Sequence, residues 1–109
     1  MAQEAQSIPF EVQQSVALLG ERIRTARLRR QLSTDELARA CGLGRRTLYR
    51  IESGEPGVAM GSVLAVLWKL GLLPTVRTVA DPDDDEHGKI LEAARRPQRV
   101  RAAAIDNDF

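Results

Sequence analysis

The sequence predicts an all-α protein: a compact bundle of four to five helices with a helix-turn-helix at its centre, followed by a short β-strand. Residues 33–54 show two short helical patterns joined by a glycine turn, and apolar residues recur at helical spacing on both sides of them. Residues 73–80 are rich in β-branched side chains. At 109 residues, with 43% apolar and 28% charged residues, the chain can bury one core.

The first predicted helix covers residues 11–30. Pro9 stands near its start, where proline is tolerated, and Gly20 is expected to weaken it locally. We expect residues 1–10 to form a flexible N-terminus. The apolar residues that recur at helical spacing are Val12, Val16, Leu19, Ile23 and Ala26.

The second predicted helix begins at Thr34. Ser33 is a good N-cap, and Glu36 stands three residues later, as a capping box requires. Gly42 supplies the positive φ that ends a helix without steric cost. The inward-facing residues are Leu37, Ala38 and Cys41.

The third predicted helix begins at Arg45 and is ended by Gly54, with Leu48 and Ile51 pointing inward. A short glycine-containing turn sets two such helices at a large angle, and the small Ala38 lets them cross closely. One helix therefore protrudes, and residues 11–72 are predicted to form a helix-turn-helix domain. Its outward residues are Arg45, Arg46, Tyr49 and Arg50.

Guanidinium groups on a protruding helix match the O6 and N7 acceptors of guanine in the major groove. Surface arginines also serve solubility, but their combination with a capped, glycine-turned partner helix favours DNA contact. We expect base contacts from Arg45, Arg46, Tyr49 and Arg50, with Arg45, Arg46 and Arg50 projecting together. Phosphate contacts are expected from Ser33, Thr34 and Thr47.

The charge is segregated along the chain. Residues 21–53 hold nine arginines and four acids, whereas residues 81–89 hold five acids and one lysine. A basic helix-turn-helix attracts phosphates whatever the sequence, so binding should weaken steeply with salt. Double-stranded DNA is the expected partner.

A fourth helix is predicted over residues 62–70, with a broad apolar face. Trp68 and Leu64 widen that face beyond the needs of one small core, which indicates a homodimer; alternatively, Trp68 closes its own core. Residues 73–80 are predicted to be a strand that pairs across the dimer, with Pro74 at its start and Val76 and Val79 in the interface. A dimer would also contact twice as many base pairs as a single copy.

Residues 81–96 are predicted to be an acidic linker and a short helix from Glu86 that Pro97 ends. Residues 97–109 have too little apolar mass to fold alone, so we expect disorder, or ordering on a partner. His87 is expected to be solvated and Cys41 to pack in the core.

The residues present argue against several function classes. The chain has one histidine, one cysteine and no phosphate-binding glycine loop. We therefore expect no enzyme activity, no cofactor and no metal site. The most apolar segment, residues 63–73, is interrupted by Lys69 and is too short to span a bilayer. No basic stretch followed by an apolar core opens the sequence, so we expect no signal peptide. A cytoplasmic protein without a membrane partner is expected.

Residues 19–72 resemble the Xre family of Cro/cI-type helix-turn-helix regulators, whose domain is lambda-repressor-like. The resemblance is carried by IRTARLRRQLSTDELA, GLGRRTLYRIESG and SVLAVLWKLGL. It implies base contacts from Arg45, Arg46 and Arg50, and a structural ion pair between Arg27 and Glu52. The chain departs from the family pattern at Asp35 and at Gly44, and the latter predicts a weaker cap on the third helix.

The C-terminal part is similar to the tails of HipB-like antitoxins, whose segment after the last helix pairs between subunits. This resemblance implies autorepression of an operon and binding of a HipA-like kinase toxin. Two alternatives remain: an ordinary Xre-family regulator without a toxin partner, and a protein that is chiefly a protein-binding inhibitor.

Overall fold

Four α-helices follow one another along the first three quarters of the chain in the computed structural model, which describes residues 7–95. They are α1 (Phe10–Arg29), α2 (Thr34–Cys41), α3 (Arg45–Glu52) and α4 (Met60–Lys69). Helices α2 and α3 begin at the predicted residues, while α1 and α4 begin slightly earlier than predicted. The all-α prediction is confirmed for the described residues.

After α4 come two 3-10 helices, Leu73–Thr78 and Pro82–Asp84, and a helix α5 over residues 86–95. The described residues divide into two compact units, one ending at Thr75 and the other beginning at Val76. The first unit contains α1 to α4, and the second contains α5. None of the helices in the described part of the chain is long and apolar enough to cross a membrane.

The core of the first unit is built around α2 and α3, which pack against each other. Helix α3 also packs on α1, and α2 packs on α4. All four helices contribute apolar side chains to this core. The buried apolar residues are Ile23, Ala26, Leu37, Ala38, Leu48, Ile51, Val66, Leu67 and Leu70.

Helix α2 starts with the predicted capping box. The Ser33 hydroxyl accepts a hydrogen bond from the Glu36 amide at 3.0 Å, and the Glu36 carboxylate accepts one from the Ser33 amide at 2.7 Å. Two backbone donors of the first turn are thereby satisfied. Helix α3 has Gly44 as its N-cap residue and therefore no side-chain cap hydrogen bond, as the sequence predicts.

Helices α1 to α4 all end in the same way, with one residue in the left-handed conformation. The following residue donates its amide proton to a carbonyl five residues earlier, which is the Schellman arrangement. The left-handed residues are Gln31 (φ 55°), Gly42 (72°), Gly54 (81°) and Gly71 (80°). The closing bonds run from Leu32 to Arg27, Leu43 to Ala38, Glu55 to Arg50 and Leu72 to Leu67.

Helix α1 lies close against the end of α3 at two glycines. A Cβ at Gly20 would stand 2.8 Å from the carbonyl oxygen of Glu52 and would also collide with that of Ile51. A Cβ at Gly54 would stand 2.8 Å from Cα of Ala17. Gly20 does not interrupt α1; it allows the close approach between the two helices.

The predicted strand at residues 73–80 is wrong. The segment Leu73–Thr78 is a 3-10 helix, and its backbone donors bond locally, from Thr75 to Leu72 and from Val79 to Val76. Gly71 turns the chain at the end of α4, and the fixed φ of Pro74 fits a 3-10 turn as well as a strand. Short-range geometry therefore overrides the β-branched composition.

In the second unit, the acidic residues cap their own helical turns. Asp81 Oδ1 accepts from the Asp83 amide, and Asp85 Oδ1 accepts from the Gly88 amide, each at 2.9 Å. Helix α5 begins at the predicted position, after Asp85. The predictions for Arg96 and residues 97–109, and most of the predicted flexible terminus, lie outside the described residues.

Candidate nucleic-acid interface

Helix α3 has one side in the core and one side in solvent. Leu48 and Ile51 are buried, while Arg45, Arg46 and Tyr49 are exposed, Tyr49 with 64% of its surface accessible. Residues three and four apart share a face of a helix. The structure thus gives α3 a cationic and aromatic outer surface that begins at its first turn.

The predicted structural ion pair joins α1 to α3. Arg27 donates from Nε to Glu52 Oε2 at 2.7 Å and from Nη2 to Oε1 at 3.0 Å, and its Nη1 donates to the Leu32 carbonyl at 2.9 Å. Both side chains are almost fully buried. The hydrogen bond that Arg27 donates to the Glu52 carboxylate raises the pKa of Arg27. This bidentate pair fixes the end of α3 against α1.

Arg45 lies next to a carboxylate of the neighbouring helix. Its Nη1 is 3.5 Å from Asp35 Oδ1, and both side chains are more than half exposed. Such an exposed pair is worth only about 0–1 kcal/mol. The guanidinium can therefore exchange Asp35 for an acceptor on a ligand.

Arg50 pairs with a carboxylate of its own. Its Nε donates to Glu55 Oε1 at 2.7 Å, which directs the guanidinium towards the loop after α3. The sequence led us to expect that Arg45, Arg46 and Arg50 project together; in the structure Arg50 differs from the other two in being half-buried and bonded to Glu55. Arg45 and Arg50 are engaged by carboxylates of two different segments, Asp35 in α2 and Glu55 in the loop after α3.

The three residues expected at phosphates lie at the starts of α2 and α3. Ser33 is exposed, and Thr34 and Thr47 are half-buried. Ser33 already serves as the cap of α2. Its amide, and to a smaller extent its hydroxyl, hydrogen-bonds Glu36 and holds the pKa of that carboxyl below the ordinary value. The ionised Glu36 thus remains beside Ser33 at neutral pH.

The residues expected in a dimer interface are exposed or half-buried. Trp68 has 61% of its surface accessible, so it does not close the core of its own unit, and Leu64 is half-buried on the same helix. Lys69 Nζ stands 5.5 Å from the centroid of the Trp68 ring. In the second unit, Val79 is exposed and Val76 is half-buried.

Cys41 is half-buried, with its Sγ 3.9 Å from the carbonyl oxygen of Ala65. Burial raises the pKa of its thiol, which disfavours the reactive thiolate. Within residues 7–95, no three histidine, cysteine or acidic side chains come together as metal ligands would.

Sequence reasoning missed the two carboxylates that engage the arginines of α3, Asp35 and Glu55. The sequence does contain a signal for Glu55, because Glu55 directly follows Gly54. In a Schellman helix end, the residue after the glycine lies beside the residue five positions earlier, which here is Arg50. The contact between Asp35 and Arg45 depends on how α2 and α3 pack, which spacing alone does not determine.

Comparison with known proteins agrees with this geometry. A family model described as a helix-turn-helix domain matches residues 18–79. The uncharacterized HTH-type transcriptional regulator y4mF of Sinorhizobium fredii is 40% identical over 53 residues, which cover 49% of this chain and 70% of that protein. No solved structure matches. The chain therefore belongs to the helix-turn-helix domain family.

Proposed function

We propose that this chain is a sequence-specific double-stranded DNA-binding protein that represses transcription. The observation that carries the proposal is the exposed surface of α3, led by Arg45 and Arg46, on a helix whose other side is fixed in the core. Rigid placement lets long side chains reach base edges at little entropic cost. The name of the Sinorhizobium relative, a transcriptional regulator, supports the same role.

In this proposal, Arg45, Arg46 and Tyr49 meet base edges in the major groove, and Arg50 joins them once it leaves Glu55. Ser33, Thr34 and Thr47 face phosphates near the helix starts. The exposed arginines of residues 21–53 supply the general attraction to the duplex, whereas the buried Arg27 is neutralised by Glu52. No enzymatic step, cofactor or metal is part of this function.

The test is Arg46→Ala on a duplex selected by the wild-type protein from a randomised pool. Loss of a bidentate base contact should weaken binding to that duplex by about 1–3 kcal/mol. Binding to a scrambled duplex should fall much less. Fluorescence anisotropy titrations at one fixed salt concentration measure both affinities.

Arg77→Ala is the matched control, because Arg77 is also an exposed arginine but lies in the 3-10 helix Leu73–Thr78. It removes the same charge without touching α3. Equal losses from the two variants, or an unchanged affinity in Arg46→Ala, would refute the base contact.

We infer that the protein binds its operator as a homodimer, since one recognition helix reads only a few base pairs. Two copies related by a two-fold axis would read half-sites about one helical turn apart. The exposed Trp68 on α4, with Leu64 beside it, supports a self-complementary apolar contact.

We further propose that the chain is the HipB-like antitoxin of a toxin-antitoxin operon and binds a HipA-like kinase toxin. This rests on the resemblance of its C-terminal part. If it is right, deleting residues 97–109 should leave operator binding intact and weaken kinase binding in calorimetry. Equal kinase affinity in the truncated chain would favour an ordinary Xre-family regulator, whereas kinase binding without operator binding would favour a protein-binding inhibitor.

A further inference from the structure

The end of α3 differs from the ends of α1, α2 and α4 in the type of the residue that follows the left-handed one. The residue after the left-handed one is a leucine after α1, α2 and α4, namely Leu32, Leu43 and Leu72, but it is Glu55 after α3. An apolar residue usually stands here because it packs on the last turn of its helix. A glutamate is not needed to end α3, so its presence calls for another explanation.

Glu55 is held beside Arg50 through both backbone and side chain. The Glu55 amide donates to the Arg50 carbonyl at 3.0 Å, and Arg50 Nε donates to Glu55 Oε1 at 2.7 Å. The turn at Gly54 fixes the first bond and so places the carboxylate within reach of the guanidinium. The ion pair is therefore assembled by the helix end itself.

The guanidinium of Arg50 also lies over the loop after α3. A Cβ at Gly57 would stand 3.6 Å from Arg50 Nη2, an ordinary contact distance. The Arg50 side chain is half-buried, unlike the exposed Arg45 and Arg46 that open the same helix. Arg50 is thus the arginine of α3 whose charge is already satisfied by a short, directed hydrogen bond.

We propose that Glu55 withholds Arg50 from DNA phosphates and thereby limits the affinity of this chain for duplex DNA of arbitrary sequence. A phosphate that approaches Arg50 competes with the Glu55 carboxylate for the guanidinium, and that carboxylate repels it. The proposal rests on the proposed DNA-binding function. It makes Glu55 a specificity-determining residue that itself contacts no DNA.

The test is Glu55→Gln, which keeps the side-chain shape and removes the charge. The probe is a duplex of random sequence, titrated by fluorescence anisotropy over a range of salt concentrations. Binding at low salt should tighten about three- to tenfold, since an exposed ion pair and one repulsion are lost. The slope of log affinity against log salt should steepen by about 0.9 if one phosphate contact is gained.

Two controls separate this effect from a general gain of positive charge. In the Arg50→Ala background, Glu55→Gln should tighten binding clearly less than in the wild type and leave the salt slope unchanged, because only the repulsion is relieved and no arginine is released. Glu21→Gln removes an exposed carboxylate of α1 and should have a similarly small effect. Circular dichroism melting verifies that each variant is folded.

The outcomes distinguish this inference from the function it rests on. If the wild type binds the duplex and Glu55→Gln binds no tighter, or tightens equally with and without Arg50, the inference is overturned and the DNA-binding function stands. If neither the wild type nor any variant binds duplex DNA, the proposed function fails and the inference fails with it.

Discussion

Gly20 is a residue of α1 that lies directly against the backbone at the end of α3. Hydrogen is the largest substituent that fits there, because a Cβ would meet the carbonyl oxygens of Ile51 and Glu52. Both oxygens are backbone atoms, so relief requires moving a helix rather than rotating a side chain. The neighbouring pair Arg27 and Glu52 resists such a movement because it ties the same two helices together.

Gly20→Ala should therefore destabilise the protein, although alanine has the higher helix propensity. We expect a loss of about 1–3 kcal/mol in the free energy of unfolding, the usual range for overpacking. Urea denaturation followed by circular dichroism measures it.

Gly61→Ala is the matched control for that substitution, since Gly61 also lies in a helix but has open space around its Cα. There alanine should be neutral or stabilising by up to about 1 kcal/mol. A stabilised Gly20→Ala variant would mean that α1 and α3 are not in close contact in solution.

At the scale of single elements, the four helix ends of the first unit share one geometry but not one residue type. Three use glycine in the left-handed conformation, and α1 uses Gln31 at φ 55°. A side chain in that region costs about 1–2 kcal/mol, offset in part by the greater flexibility of glycine in the unfolded chain. Gln31 is therefore a point of stored backbone strain.

Gln31→Gly should stabilise the protein by about 0.5–1 kcal/mol, measured as a rise in the urea midpoint. Gln14→Gly, at an exposed position inside α1, should lower stability by about 1 kcal/mol. If both substitutions destabilise to the same extent, the left-handed end of α1 does not persist in solution.

The start of α2 should give the protein a pH-dependent component of stability. Hydrogen bonds from Ser33 lower the pKa of Glu36 in the folded state. Its contribution to stability is therefore fully present above the unfolded pKa of about 4.3 and is lost as pH falls through the lower folded value. Glu36→Gln keeps an acceptor at this position but cannot ionise.

The melting temperature of the wild type should thus exceed that of Glu36→Gln near neutral pH, and the difference should shrink as the pH is lowered below about 4. Thermal melts of both proteins in the same buffers measure it. A difference that stays constant down to acidic pH would contradict a stabilising ionised Glu36.

These elements indicate how far sequence alone determines the fold. The start of α2 and the ends of α2 and α3 were predictable because Ser33, Glu36, Gly42 and Gly54 act within one or two turns of themselves. The segment Leu73–Thr78 was misjudged because its β-branched residues suit a strand only where a partner strand exists. The role of Gly20 was missed because it depends on a helix thirty residues away in the chain.

The candidate site likewise contains features that the sequence predicts and features that it does not. Exposure of Arg45, Arg46 and Tyr49 follows from helical spacing, since Leu48 and Ile51 must face the core. The direction of Arg50 does not follow from it, because the loop that carries Glu55 determines where that side chain rests. Spacing predicts the face of a helix, whereas the ion pairs of long side chains depend on neighbouring segments.

At the scale of the whole molecule, the remaining question is self-association. Met60, Leu64 and Trp68 are spaced four residues apart and share one face of α4, and 74% of Met60 and 61% of Trp68 are exposed. Residues 73–80 provide no strand that could pair between subunits. We therefore place the two-fold contact on this apolar face of α4. Such a contact would be self-complementary, with each tryptophan packing against the partner's α4.

Trp68→Glu should therefore convert a dimer into a monomer, because two buried charges would face each other across the axis. Sedimentation equilibrium over a range of protein concentrations measures the change, and binding to a two-half-site duplex should weaken with it. Phe10→Glu is the control, since Phe10 is even more exposed than Trp68 but lies at the start of α1. A wild type that stays monomeric at high concentration, or a Trp68→Glu variant that stays dimeric, would exclude the α4 face as the dimer interface.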